Sequence, residues 1–303
     1  MFLLKRMNIE YIEAKGILTK NTSPENWFGI HYNMNVYRGC QHDCIYCDSR
    51  SDCYNIYSFS DLIVKKNAVE LLDTALQKMR KKVTIGTGSM SDPYIPAEKH
   101  LKITESILKI VIKYKYPFHI TTKSDLIIRD LDLLNEINKT FLNVCFSLST
   151  YDDKTALMVE PKAPSPTNRL KTLQQLSVNG IYTGVLFQPI LPYMLDTEEN
   201  IKETVYLVSE CGGRFIIPFF AVTMRHGQRE YFLEKLGHIS KELKAKYETT
   251  FKSHYVCHCE NSFALIKYFQ AQCKKRKILY KMADIKTFKE DNNYKQMTLF
   301  DFL

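Results

Sequence analysis

The stretch Asn35–Tyr54, NVYRGCQHDCIYCDSRSDCY, holds four of the chain's nine cysteines, and three of them, Cys40, Cys44 and Cys47, stand at gaps of three and then two residues. A structural zinc site takes a closed tetrahedral set, usually two pairs a dozen or more residues apart, and no matching pair lies nearby. His42 and Cys53 are the neighbours that could complete such a set. Thiolates also suit iron–sulfur clusters, and a cubane held by only three cysteines leaves one iron open to an outside ligand. Val36 to Arg38 reads as a strand, and Gly39 lets the backbone turn out of it into the cysteine loop.

Downstream of that loop, strands and helices alternate. The periodicity predicts strands at Val83–Thr87, Phe118–Thr122, Val144–Ser149, Tyr182–Gln188 and Phe215–Phe220. Between them fall helices over Ala68 to about Lys82, Glu98–Tyr114, Asp130–Asn138, Pro166–Val178 and Thr197–Glu210, the last stopped by Gly212-Gly213. Counted from Val36 this makes six strands joined by helical crossovers, which are right-handed and give a parallel sheet. Reactive groups of such folds gather at the carboxyl ends of the strands. Beyond Thr223 two helices are expected, about Gln228–Tyr247 and Asn261–Lys275, before a polar, basic tail.

The cysteine spacing, with aromatic Tyr46 directly before Cys47, resembles the signature of the radical S-adenosylmethionine (SAM) superfamily. That resemblance implies an α/β fold, a (β/α)6 partial TIM barrel with a helical C-terminal extension here. It implies a [4Fe–4S] cluster on Cys40, Cys44 and Cys47, whose open iron takes the amino and carboxylate groups of SAM. It further implies reductive cleavage of SAM to a 5′-deoxyadenosyl radical that abstracts hydrogen, and an electron donor such as flavodoxin or ferredoxin. The segments GTGSMSDPYIP with Asp92-Pro93-Tyr94, TTKSDLIIRD, FSLSTYD, Glu160…Pro164…Arg169 and EAKGIL resemble a narrower group, the spore photoproduct lyase-like or "DNA repair photolyase" family, over about residues 10–220.

Carried over residue by residue, the resemblance gives Gly86 and Gly88 a backbone approach to the SAM amino group. Lys123 and Ser147 would meet its carboxylate, where a cation and a hydroxyl make short charge-assisted contacts. Ser149 shares a strand face with Ser147 and competes for that role. Tyr46 would pack near adenine, through its ring or its backbone. Glu160 and Arg169 read either as an ion pair fixing the loop EPKAPSP or as polar contacts to the SAM ribose and methionyl end. The lyase returns hydrogen to its product radical from a cysteine after the second strand; between Val83 and Pro96 this chain has none, and Ser89 or Met90 stands about there. Photoproduct reversal by that route is therefore not expected.

Length and composition frame these readings. The chain has 303 residues, 45% hydrophobic and 25% charged, which is ordinary for a globular protein. The divisions expected are a lead-in over 1–33, a core over 34–225, a helical extension over 226–285 and a flexible tail over 286–303. No apolar run reaches the roughly 18 residues of a spanning helix, and the N-terminus lacks a signal-peptide pattern, so no membrane partner and a cytoplasmic location are expected. The net charge of +9 favours a polyanionic partner without establishing one. A nucleic acid, with a DNA lesion as the example, is slightly favoured as the substrate class over a peptide or small metabolite; a zinc-stabilised, non-catalytic nucleic-acid-binding protein is the rival from another class. Cys257, His258 and Cys259, with Cys211, Cys273 and His254 scattered around them, read as packed thiols rather than a second metal site, as do Cys53 and Cys145. The basic runs Lys78–Lys82 and Lys274–Lys277 read as solvated helix ends. In the tail, Gln296, Leu299 and Phe300 resemble the peptide by which bacterial DNA-processing proteins dock on the sliding clamp, two apolar anchors entering a preformed pocket.

Overall fold

The computed structural model describes residues 9–56 and 61–289. In chain order the strands are β1 (Ile9–Ile12), β2 (Leu18–Lys20), β3 (Ile30–Met34), β4 (Tyr37–Arg38), β5 (Leu62–Lys65), β6 (Thr84–Thr87), β7 (Phe118–Thr122), β8 (Leu142–Leu148), β9 (Tyr182–Phe187), β10 (Phe215–Pro218), β11 (Ala221–Thr223) and β12 (Val256–His258). The helices are α1 (Ala68–Lys78), α2 (Glu98–Leu101), α3 (Ile103–Tyr114), α4 (Leu131–Asn138), α5 (Asp153–Val159), α6 (Pro166–Val178), α7 (Glu198–Glu210), α8 (Gln228–Ile239), α9 (Lys241–Phe251) and α10 (Ser262–Arg276).

The main sheet runs β10-β9-β8-β7-β6-β3-β2, six parallel strands in sequence order with β2 antiparallel on one edge. It does not close on itself. Each parallel strand alternates its side chains between two buried layers. Phe118, Ile120, Val144, Phe146 and Val185 face the helices, whereas Ile30, Cys145, Leu186 and Phe215 form a second, inner cluster with Phe28 and Ile285. A strand buried on both faces reads as a continuous apolar run, which is why the downstream strands were legible.

The first strand differs from expectation. Ile30–Met34, rather than Val36–Arg38, pairs with β6, while Tyr37–Arg38 runs antiparallel to β5 in a small sheet of its own, ordered β1-β5-β4. His31, Tyr32 and Asn33 interrupt the apolar pattern of β3, so its pairing was invisible as a sequence run.

Two expected helices are broken. The helix over Glu98–Tyr114 is split at Lys102, whose φ of 53° is left-handed. The cause is Glu98: its buried carboxylate turns back to accept from the amides of Ile103 and Thr104, both at 3.1 Å, and so caps α3. Gln228–Tyr247 is likewise two helices, because Ser240 is extended and its hydroxyl caps α9 at Leu243 N (3.1 Å). Helix α5, capped by Asp152, and the antiparallel pair β11–β12 were not anticipated. No helix among the described residues is long and apolar enough to cross a membrane.

Candidate functional site

A cavity of about 340 Å³ opens at the carboxyl ends of the parallel strands. Cys40, Cys44 and Cys47 all line it, brought there by the loop that follows β4, and Gly88, Lys123, Ser147 and Gln188 line it from the ends of β6, β7, β8 and β9. Burial opposes ionisation of the three thiols. It pushes Cys40 up to about 12, with the negative charges of Asp92 and Cys47 adding to it, and it raises Cys44 and Cys47 as well, against the pull of Lys123. Three thiols lining one cavity become thiolates when a cation is bound among them, since a coordinating thiol is deprotonated outright. Among the described residues no three His, Cys, Asp or Glu side chains converge as the ligands of one ion. A cluster asks that its three cysteines share one cavity, each taking a different iron, and Cys40, Cys44 and Cys47 do share one.

On the facing wall Lys123 Nζ donates to Ser147 Oγ at 2.8 Å and lies 3.9 Å from Glu160 Oε1. Burial works against the ammonium, but Cys44 and Glu160 outweigh it and hold its pKa above the ordinary lysine value. Ser149, the rival of Ser147, does not line the cavity; its hydroxyl donates to Glu160 Oε1 at 2.9 Å.

Glu160 and Arg169 lie behind that wall, 1% and 0% exposed, and neither lines the cavity. Arg169 forms an ion pair with Glu160 through Nη2, donates from Nη1 to the Ser147 carbonyl (2.9 Å) and from Nε to the Pro164 carbonyl (2.8 Å). Tyr46, 7% exposed, donates its hydroxyl to Glu160, while its carbonyl accepts from Gln228 Nε2 at 3.1 Å. Burial raises the Glu160 carboxyl, but Arg169 and then Lys123 pull it down to about 2, so it is a fixed anion. The pair thus touches the loop at the Pro164 carbonyl, strand β8 at the Ser147 carbonyl, and Tyr46 and Lys123 at the cavity wall.

Gly88 lines the cavity with φ +95°, and a Cβ there would meet the Thr121 carbonyl oxygen at 1.9 Å. Gly86 lies within β6, away from the lining, where a Cβ would press on Ile30 at 2.7 Å. Its smallness serves the inner packing.

Several lining residues were not singled out as site residues: Asp48, Asp92, Gln188, Phe219, Val222 and Thr223. In the sequence Asp92 stands only as part of the Asp92-Pro93-Tyr94 motif. Phe219, Val222 and Thr223 belong to the strand-to-extension crossing, whose short β11 carries no periodicity. That crossing is fastened to the cysteine loop. Arg225 Nε lies 3.3 Å from Asp48 Oδ1, His226 Nδ1 2.6 Å from Asp52 Oδ2, and Asp52 N donates to the His226 carbonyl at 3.2 Å. The remaining cysteines stay apart from the cavity. Cys145, Cys257, Cys259 and Cys273 are buried, with Cys257 and Cys259 directed at the backbone carbonyls of His254 (3.5 Å) and Ile190 (3.4 Å). Cys211 is half-buried, and exposed Cys53 lies 3.7 Å from Arg225 Nη1. The tail residues Gln296, Leu299 and Phe300 lie outside the described residues.

Comparison with known proteins follows the same line. Residues 34–207 match the family described as the radical SAM superfamily. An uncharacterized protein of Methanocaldococcus jannaschii is 34% identical over 198 residues, 65% of this chain and 73% of that protein. An uncharacterized protein of Mycobacterium tuberculosis is 26% identical over 232 residues, 74% of this chain and 68% of its own length. Among solved structures, spore photoproduct lyase complexed with dinucleoside spore photoproduct shares the fold at a TM-score of 0.64 and 14% identity, over 90% of this chain and 81% of the lyase. A double mutant of that lyase with bound AdoMet and dinucleoside spore photoproduct gives a TM-score of 0.61 and 13% identity over the same shares, 90% and 81%.

Proposed function

The chain belongs to the radical SAM superfamily, and from that membership we propose an enzyme that binds a [4Fe–4S] cluster on Cys40, Cys44 and Cys47 and SAM beside it. When bound, the reduced cluster supplies the electron that cleaves SAM, and the resulting 5′-deoxyadenosyl radical takes a hydrogen atom from the substrate. The observation that carries this reading is the sharing of one cavity by the three signature cysteines and the Lys123–Ser147 pair. Lys123 and Ser147 seat the SAM carboxylate, and the Gly88 backbone, which lines the cavity, meets its amino group. Tyr46 covers the adenine side. Glu160 and Arg169 hold Tyr46, Lys123 and the Ser147 carbonyl in place from behind. Met90, Phe219 and Val222 supply an apolar wall that keeps water from the reacting atoms.

For the substrate we favour nucleic acid. The net charge of +9 supports it, as does a rim where the Arg225 guanidinium lies 4.9 Å from the ring of Tyr255, itself 45% exposed; such a pair offers stacking to an unpaired base. The reading that Gln296, Leu299 and Phe300 recruit the sliding clamp rests on their sequence alone, and the supply of electrons by flavodoxin or ferredoxin on the family resemblance.

Anaerobic reconstitution with iron and sulfide tests the core of the proposal. A brown protein that converts SAM to 5′-deoxyadenosine under dithionite is expected, and replacing all three signature cysteines by Ala should abolish colour and cleavage together. A colourless protein that binds one zinc sinks the proposal, and survival of cleavage in the triple variant sinks the ligand assignment. Deuterium passing from a labelled oligonucleotide into 5′-deoxyadenosine supports the nucleic-acid substrate; transfer only from a labelled peptide or metabolite refutes it.

A further inference from the structure

One buried carboxylate meets the cysteine loop in a way the proposed chemistry leaves unused. Asp92 Oδ1 accepts from Thr122 Oγ1 (2.7 Å) and Tyr94 N (2.8 Å). Its Oδ2 accepts from Lys123 N (2.7 Å) and lies 3.1 Å from His42 Nε2. The group thus meets three separated parts of the chain: it accepts from the loop after β6 and from the end of β7 that aims Lys123, and it lies against His42 of the cysteine loop. The Cys40 thiol in turn feels the Asp92 carboxylate, whose negative charge adds to burial in opposing its ionisation.

His42 sits between Cys40 and Cys44, lines the cavity and is 1% exposed. Among the described residues neither of its ring nitrogens completes a directed hydrogen bond, despite the closeness of Nε2 to Asp92. Burying an imidazole with that capacity unspent is costly unless something in the cavity takes it up. Hydrogen bonds to cluster or cysteine sulfur and the net charge nearby are the levers by which a protein sets a cluster's reduction potential.

We propose that Asp92 and His42 are a positioning pair for the cluster: Asp92 pins the cysteine loop to the strand end that carries Lys123, and His42 offers its unspent N–H to the bound group. This rests on the cluster reading above. The two residues act on the reduction potential in opposite senses. Asp92 places a negative charge beside Cys40 and lowers it; His42 contributes a donor and raises it.

The test is a potentiometric titration of the reconstituted protein followed by electron paramagnetic resonance. Asp92→Asn is expected to move the midpoint positive and His42→Leu to move it negative, with His42→Gln, which restores a donor, falling closer to wild type. Release of iron to a chelator should quicken about tenfold in Asp92→Asn and His42→Leu, the scale typical when a group supporting a metal ligand is lost. Shifts of one sign in both variants, as general loosening would give, or no shift in either, overturn the pair. Should Asp92→Asn fail to fold by thermal melting, the histidine variants decide, and a His42→Leu shift that His42→Gln leaves uncorrected overturns it. A wild-type protein that takes up no iron–sulfur cluster instead overturns the cluster reading itself, a distinguishable failure.

Discussion

His119 stands on the inner face of β7, stacked on Phe28 with ring centroids 4.6 Å apart, and burial holds its pKa down to about 3. The folded value lies below the ordinary histidine value of about 6.5, so its contribution is complete above about pH 6.5 and is lost as pH falls toward 3. Urea unfolding at successive pH values should show stability falling by about 1.4 kcal/mol per pH unit from this group, and His119→Leu should remove one proton's worth of that slope. An unchanged slope refutes the assignment. Glu160, held at about 2, has its own window, complete above about pH 4.5 and lost below it, so His119 acts without it between about pH 6.5 and 4.5 and the two overlap below that. Arg169→Met leaves that carboxylate buried without its partner and should cost about 3–5 kcal/mol, read as a fall in Tm; converting Glu160 to an apolar residue in the same chain should recover most of it. At this scale the cysteines were legible because their spacing is local. Lys123 and Ser147 came from a resemblance and a strand-end argument. The link between His42 and Asp92 was not legible, because it joins residues far apart in the chain and only the folded backbone brings them together.

Among the elements, the turn after β6 is the least tolerant of change. Gly88→Ala meets both a left-handed backbone and the Thr121 carbonyl, whereas Gly180, also left-handed at φ +77°, has nothing within 4 Å of its would-be Cβ. Gly180→Ala should therefore cost about 1 kcal/mol, a backbone term alone, and Gly88→Ala roughly 2 kcal/mol or more. Thermal melts of the two variants decide it, and equal losses would show that the contact with Thr121 relaxes freely. Helix α6 was read from sequence with both of its bounds, because Ser165 caps it, Pro166 starts it and its apolar spacing is regular. The breaks at Lys102 and Ser240 were not readable. Each follows from a side chain capping a helix it does not belong to or that merely looks continuous, and the periodicity runs on through both. Strand β3 failed in the opposite way: its pairing is real, but its middle residues are polar.

In the whole molecule, the ends of an open sheet have to be joined by something other than strand pairing. At the cavity mouth that role falls to the fastening of Asp48 and Asp52 to Arg225 and His226. Arg225→Ala should open residues 48–54 and 221–230 together, seen as faster hydrogen exchange in both segments, and a change in only one of them would refute their joint action. At the opposite end of the strands the closure comes from two segments far apart in sequence, around residue 28 and around residues 282–287. Phe28 N donates to Met282 Sδ at 3.3 Å, Ile285 packs with Phe28 and Phe215, and a Cβ on Gly29 would touch Thr287 at 3.2 Å. This arrangement sets an order on biosynthesis. When the ribosome has made every strand of the sheet, Phe28 has His119 and Phe215 but still lacks Met282 and Ile285, and that side of the inner cluster stays open until residues near 285 emerge. The nascent chain must wait for them in a partly assembled state, the kind of intermediate on which chaperones act. Fragments ending at the last strand should consequently be poor folding units, whatever their family signature.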